Sequence, residues 1–179
     1  MNLESDVLKV CISKEEIEKI VSKIAKQINE DYKDKNPLFV CLLKGAVPFM
    51  TDLLKEINIK CNIEYLKVSS YDGTRSTGIL KIETTFPKVK DRDVIIVDDI
   101  IDTGKTLFEL KNKMVENGAS SVSIAILLDK PEGRKFDIYA DYIGTLIPNE
   151  FVVGYGLDYN EYYRNLPYIG ILKEEIYKK

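Results

Sequence analysis

Val94-Ile95-Ile96-Val97-Asp98-Asp99-Ile100-Ile101-Asp102-Thr103-Gly104-Lys105-Thr106 reads as a buried strand, an acidic loop and the start of a helix. The apolar run Val94–Val97 suits a strand covered on both faces. Thr103–Asn117 forms the helix, and Gly118 ends it. Gly104-Lys105-Thr106 has the form of the last part of a nucleotide-binding P-loop. That motif needs a glycine five residues before Gly104, and Asp99 stands there. Two carboxylates at the mouth of such a loop would repel a triphosphate. The segment suits a smaller, two-part ligand. Thr103, Gly104, Lys105 and Thr106 offer unpaired backbone N–H groups, hydroxyl donors and the positive end of a helix dipole, which fits a monophosphate. Asp98 and Asp99 are acceptors for vicinal hydroxyls, or for waters on a hard cation. A sugar phosphate with a free diol satisfies both halves.

Around this segment, strands and helices alternate. Leu8–Ile12 is a short strand. Ser13 then caps a helix, with Glu16 completing a capping box and Ile17, Ile20, Val21, Ile24 and Ile28 at helical spacing. Leu38–Leu43 is a second buried strand. Ala46–Ile57 is a helix with Pro48 in its first turn, where proline is tolerated. Ile63–Ser70 is a strand and Tyr71–Gly78 a flexible loop. Ser121–Leu128 is a strand, and Tyr139–Leu146 and Phe151–Gly154 finish the sheet. This order predicts an α/β fold with a mainly parallel sheet in a single domain over 1–179. Ligands in such sheets sit beyond the carboxyl ends of the strands. The loops after Leu43, Val97 and Leu128 are therefore expected to face one site.

Composition narrows the chemistry. The 179 residues carry 26 basic and 29 acidic side chains, well mixed, for a net charge of −3. That balance argues against a nucleic-acid or membrane surface. No apolar run approaches the roughly 20 residues that span a bilayer. The polar, acidic Met1–Asp6 does not resemble a signal peptide. Cys11, Cys41 and Cys61, far apart and odd in number, form no Cys-x-x-Cys pair and no zinc spacing, and read as reduced structural thiols in a cytoplasmic protein. The chain contains no histidine. Imidazole bases and His-ligated zinc are excluded, so acid–base work falls to other side chains. A metal would be held by oxygen, which favours magnesium or manganese.

The Val94–Thr106 segment resembles the phosphoribosyl pyrophosphate signature of type I phosphoribosyltransferases. Leu43-Lys44-Gly45, Ser70-Tyr71, Lys130 and the block Phe151-Val-Val-Gly-Tyr-Gly-Leu-Asp-Tyr-Asn-Glu-Tyr-Tyr-Arg-Asn-Leu-Pro167 sharpen the likeness to the hypoxanthine-guanine phosphoribosyltransferase family. The resemblance implies a twisted sheet flanked by helices, with a small hood built from the chain ends. It implies purine salvage with phosphoribosyl pyrophosphate, a 6-oxopurine and Mg²⁺, in a homodimer or homotetramer.

The same resemblance supplies roles. Asp102 becomes the general base near N7 of the purine, although the position also suits a helix N-cap. Asp98, Asp99 and Asp102 to Thr106 bind the phosphoribosyl group. Lys44, Gly45 and Arg164 bind pyrophosphate, with a cis Leu43–Lys44 peptide; Ala46 stands where the family often has a second glycine. Ser70 and Tyr71 belong to a lid that excludes water. Lys130 donates to O6 of the base, which favours a 6-oxo over a 6-amino purine. Phe151 stacks on the base, Val152 offers backbone groups, and Asp158 completes the purine side and holds the metal with Asp98 and Asp99. The family commonly has Glu-Asp at Asp98-Asp99, so Asp98 is expected to reach the ribose through water. Tyr155, Tyr159, Tyr162 and Tyr163 read as packing or interface residues. Two rivals remain: a phosphoribosyl pyrophosphate-sensing regulator of the same fold, and an enzyme for xanthine or a pyrimidine.

Overall fold

A computed structural model describes residues 3–70 and 80–178. Its strands are β1 (Val7–Ile12), β2 (Leu38–Leu43), β3 (Asn62–Ser70), β4 (Leu80–Ile82), β5 (Asp93–Ile101), β6 (Ser121–Asp129), β7 (Tyr142–Leu146), β8 (Val152–Val153) and β9 (Ile169–Leu172). Its helices are α1 (Lys14–Asp31), α2 (Val47–Glu56), α3 (Lys105–Glu116) and the short α4 (Glu174–Tyr177).

Six strands form one sheet in the order β4-β3-β2-β5-β6-β7. All neighbours are parallel except the edge pair β3–β4. Alternate residues of the central strands enter opposite cores. Phe39 and Cys41, Ile95 and Val97, and Ala125 and Leu127 pack with Ile24 and Ile28 of α1 and Phe49 and Leu53 of α2. Val40, Ile96, Ile124 and Ile126 pack with Leu107, Leu110 and Met114 of α3. Both faces are thus covered, which is why these strands read as unbroken apolar runs. Each large side chain so buried contributes about 1.5–3 kcal/mol.

The local signals at the helix ends are realised. Ser13 and Glu16 exchange the two hydrogen bonds of a capping box, at 3.2 and 2.7 Å. Pro48 sits in the first turn of α2. Beyond α3, Gly118 takes a φ of +86° and its N–H donates to the Val115 carbonyl at 2.9 Å.

Three expectations are corrected. β5 does not stop at Val97. It runs on to Ile101 because β6 supplies partners as far as Asp129, so Asp98 and Asp99 sit on a strand rather than in a loop. α3 begins at Lys105, not Thr103, since Gly104 is its N-cap in the left-handed region at φ +82°. Phe151–Gly154 does not join the main sheet. Only Val152–Val153 is extended, and it pairs with β9, which also pairs with β1. Val7 opposite Leu172 joins the two ends of the chain in this three-stranded hood. The expected loop Tyr71–Gly78 lies outside the described residues, and Ser70 ends β3 just before it.

Candidate functional site

The carboxyl ends of β2 and β5 and the start of α3 enclose a cavity of about 360 Å³. It is lined by Lys44 and Gly45, by every residue from Asp98 to Leu107, and by Asp158 and Arg164. The Leu43–Lys44 peptide is cis. Gly45 lies hard against the acidic pair: a Cβ there would fall 1.7 Å from Asp99 Oδ2. Each acid accepts from the next backbone N–H, Asp98 from Asp99 at 3.0 Å and Asp99 from Ile100 at 2.8 Å. Burial pushes both carboxyls above the usual range, Asp98 the further, because the Asp99 charge adds to it. The same burial, with Asp98 and Asp99 nearby, pushes the Cys41 thiol up to about 12. Cys41 is therefore a packed thiol and no nucleophile.

Gly104, with no side chain, leaves α3 without a side-chain cap. Thr103 Oγ1 accepts only weakly from Lys105 N, at 3.4 Å. The first turn can thus offer N–H groups to an anion in the cavity. Cations are also present. Arg164 pairs with Asp158 at 2.8 Å and donates to the Gly156 carbonyl at 2.8 Å. Its Nε is buried and unpartnered among the described residues. Lys44 Nζ pairs with Glu161.

A second cavity, of about 640 Å³, is lined by Lys130, Asn149, Glu150, Phe151, Leu172 and Tyr177 among others. Lys130 is buried, and its Nζ donates to the Glu150 carbonyl at 2.9 Å. Phe151 is partly exposed and stacks on Tyr177, with centroids 4.8 Å apart and planes at 23°. Val152 is buried, and its backbone pairs with Ile171. Asp102 lines both cavities. It is an exposed carboxylate at the turn between β5 and α3.

A phosphoribosyl transferase domain profile matches residues 12–160. The hypoxanthine-guanine phosphoribosyltransferase of Streptococcus thermophilus strain CNRZ 1066 is 52% identical over 179 residues, covering 99% of either chain. That of Streptococcus pneumoniae strain R6 is 52% identical over 177 residues and covers 98% of each. The chain belongs to the hypoxanthine-guanine phosphoribosyltransferase family. Among solved structures, a hypoxanthine phosphoribosyltransferase from Staphylococcus aureus has a TM-score of 0.95 at 44% identity, covering 99% of this chain and 97% of the other. A hypoxanthine-guanine phosphoribosyltransferase from Bacillus anthracis has a TM-score of 0.87 at 36% identity, covering 93% and 99%.

In this phosphoribosyltransferase the expected residues fall into two groups. Lys44, Gly45, Asp98 to Thr106, Asp158 and Arg164 share the first cavity; Lys130 and Phe151 line the second. Asp158 lines only the first. Among the described residues no three acidic or thiol side chains gather as a metal cage. A phosphate-bound Mg²⁺ takes one or two carboxylates plus substrate oxygens, and Asp98, Asp99 and Asp158 line the first cavity, so the donor set fits. Tyr155 and Tyr163 are structural, donating to Asp52 and Asp6 at 2.7 and 2.8 Å. Sequence reasoning missed Glu161, Arg134 and Tyr177, which act through partners distant in the chain. Among the described residues no helix is long and apolar enough to cross a membrane.

Proposed function

We propose that this enzyme transfers the 5-phosphoribosyl group of phosphoribosyl pyrophosphate to N9 of hypoxanthine or guanine, giving IMP or GMP and pyrophosphate. The carrying observation is Asp102 on the wall common to both cavities. A base in one and a ribose phosphate in the other would meet at that residue. The 5′-phosphate rests on Thr103, Gly104, Lys105 and Thr106, and the ribose hydroxyls face Asp98 and Asp99. Lys44, Gly45 and Arg164 hold the pyrophosphate.

N9 bonds to ribose C1 as the C1–oxygen bond breaks, and that electron pair leaves with pyrophosphate. Asp102 takes the proton shed from N7. Lys130 donates to O6, Phe151 stacks on the ring, and Val152 faces its pyrimidine edge. Bound Mg²⁺, held by Asp158, Asp98 and Asp99, would neutralise charge on the leaving group. Lys44 and Arg164 add fixed positive charge there, the kind of preorganised term that usually dominates. Ser70 and Tyr71 keep their expected role in excluding water from C1, with Tyr71 outside the described residues. The enzyme works as one domain over 1–179, in the cytoplasm, as a homodimer or homotetramer.

Initial rates of pyrophosphate release with hypoxanthine, guanine, xanthine and adenine test the assignment. Hypoxanthine and guanine turn over and adenine does not. Appreciable adenine turnover would contradict the role of Lys130.

A further inference from the structure

The segment after Lys130 clasps the turn that carries Asp102. Arg134 is 12% exposed and uses all three guanidinium nitrogens on three different partners. Its Nε donates to the Asp102 carbonyl at 3.2 Å. One terminal nitrogen donates to the Ile138 carbonyl, and the other pairs with the buried Asp129 carboxylate. Asp129 is the residue before Lys130. The Lys130 N–H in turn donates to the Ile101 carbonyl at 2.9 Å, one residue before Asp102. On the far side of Asp102, the Lys135 and Phe136 N–H groups donate to the Thr103 carbonyl at 2.9 and 3.2 Å.

An ion pair this buried is weak grounds for stability, since desolvation offsets most of its attraction. The fork geometry of arginine is what the place demands, because a lysine offers a single nitrogen. We propose that Arg134 is a positioning residue that fixes the separation between the Asp102 carboxylate and the Lys130 ammonium. Resting on the roles proposed for those two residues, Arg134 sets the spacing with which the enzyme reads N7 and O6 along one edge of the purine. It touches neither substrate.

Arg134→Lys in the full chain keeps a charge beside Asp129 and loses the hold on Asp102. Its kcat falls by about 10- to 100-fold, as misplacement of a reacting group by about 1 Å can cause. The purine KM rises and the phosphoribosyl pyrophosphate KM stays at the parent's value. A purely structural role would lower melting temperature and folded fraction, with both KM values unmoved. Unmoved KM values, or a rise shared equally by both substrates, overturn the proposal. Arg134→Ala guards against poor folding of the lysine variant: millimolar guanidinium restores part of its kcat, and no restoration overturns the proposal. A double-mutant cycle separates the two layers. In an Asp102→Asn background Arg134→Lys costs little further kcat. Additive losses remove Arg134 alone, whereas an Asp102→Asn enzyme at full kcat removes the base assignment and this inference with it.

Discussion

Lys44 Nζ lies 2.8 Å from Glu161 Oε2, beside the cavity where a pyrophosphate would claim that ammonium. The other Glu161 oxygen stands 3.3 Å from Arg164. One carboxylate therefore engages both cations assigned to the leaving group. More than half of each of the Lys44 and Glu161 side chains is exposed, so the pair is weak and screened by salt. Glu161→Gln is expected to tighten pyrophosphate inhibition by about two- to fivefold, leaving the hypoxanthine KM alone. Weaker inhibition would mean that Glu161 helps to hold the ligand instead of competing with it.

Lys130 is buried with its ammonium on the Glu150 carbonyl, and it lines the cavity proposed for the base. Lys130→Gln places an amide there that can also accept. Discrimination between hypoxanthine and adenine, read as the ratio of kcat/KM values, should fall by at least about 10-fold. A ratio equal to the parent's would move O6 recognition to another residue.

Asp98 carries a pH signature. Burial, then the Asp99 charge, holds its folded-state pKa well above the ordinary carboxylate value of about 3.9. Between those two values the native state keeps a proton that the unfolded chain has lost. Stability therefore falls as pH rises through that window, and the destabilisation is complete above the folded value. Asp98→Asn should raise the melting temperature of the ligand-free, metal-free protein at neutral pH and flatten its dependence between mildly acidic and neutral pH. Parallel melting curves for parent and variant across that range would rule this out.

Gly133 packs on the turn that carries Asp102 so closely that a Cβ would fall 1.8 Å from Asp102 Oδ1. In Gly133→Ala the carboxylate must turn aside. The expected result is a kcat about 10- to 100-fold lower with the fold retained, checked by steady-state rates beside a thermal melt. An unchanged kcat would show that the segment Pro131–Gly133 can yield without disturbing Asp102.

What the sequence made legible was local or covered on both sides. Leu38–Leu43 and Val94–Val97 announce themselves because each residue meets one core or the other. Ser13 and Glu16 lie within one turn of each other. The end of β5 was harder, since its extension depends on Asp129 opposite Ile101, a pairing outside any window around Val94. The resemblance implied a hood of chain ends, but its pairing was harder still to read: Val7 finds Leu172 from the other end of the chain. In the site, Asp98 to Thr106 stood out because its chemistry is contiguous. Glu161 did not, because its meaning comes from Lys44, 117 residues earlier. Arg134 likewise reads as an ordinary basic residue until Asp102 and Asp129 are placed around it.

The stack of Phe151 on Tyr177 has a practical use. The sequence contains no tryptophan, so the protein is dark to selective excitation of indole. Tyr177→Trp would install a single fluorophore against the ring expected to receive the base. Its emission would report purine binding directly, at equilibrium and without turnover, giving an optical handle on a step that product assays see only indirectly.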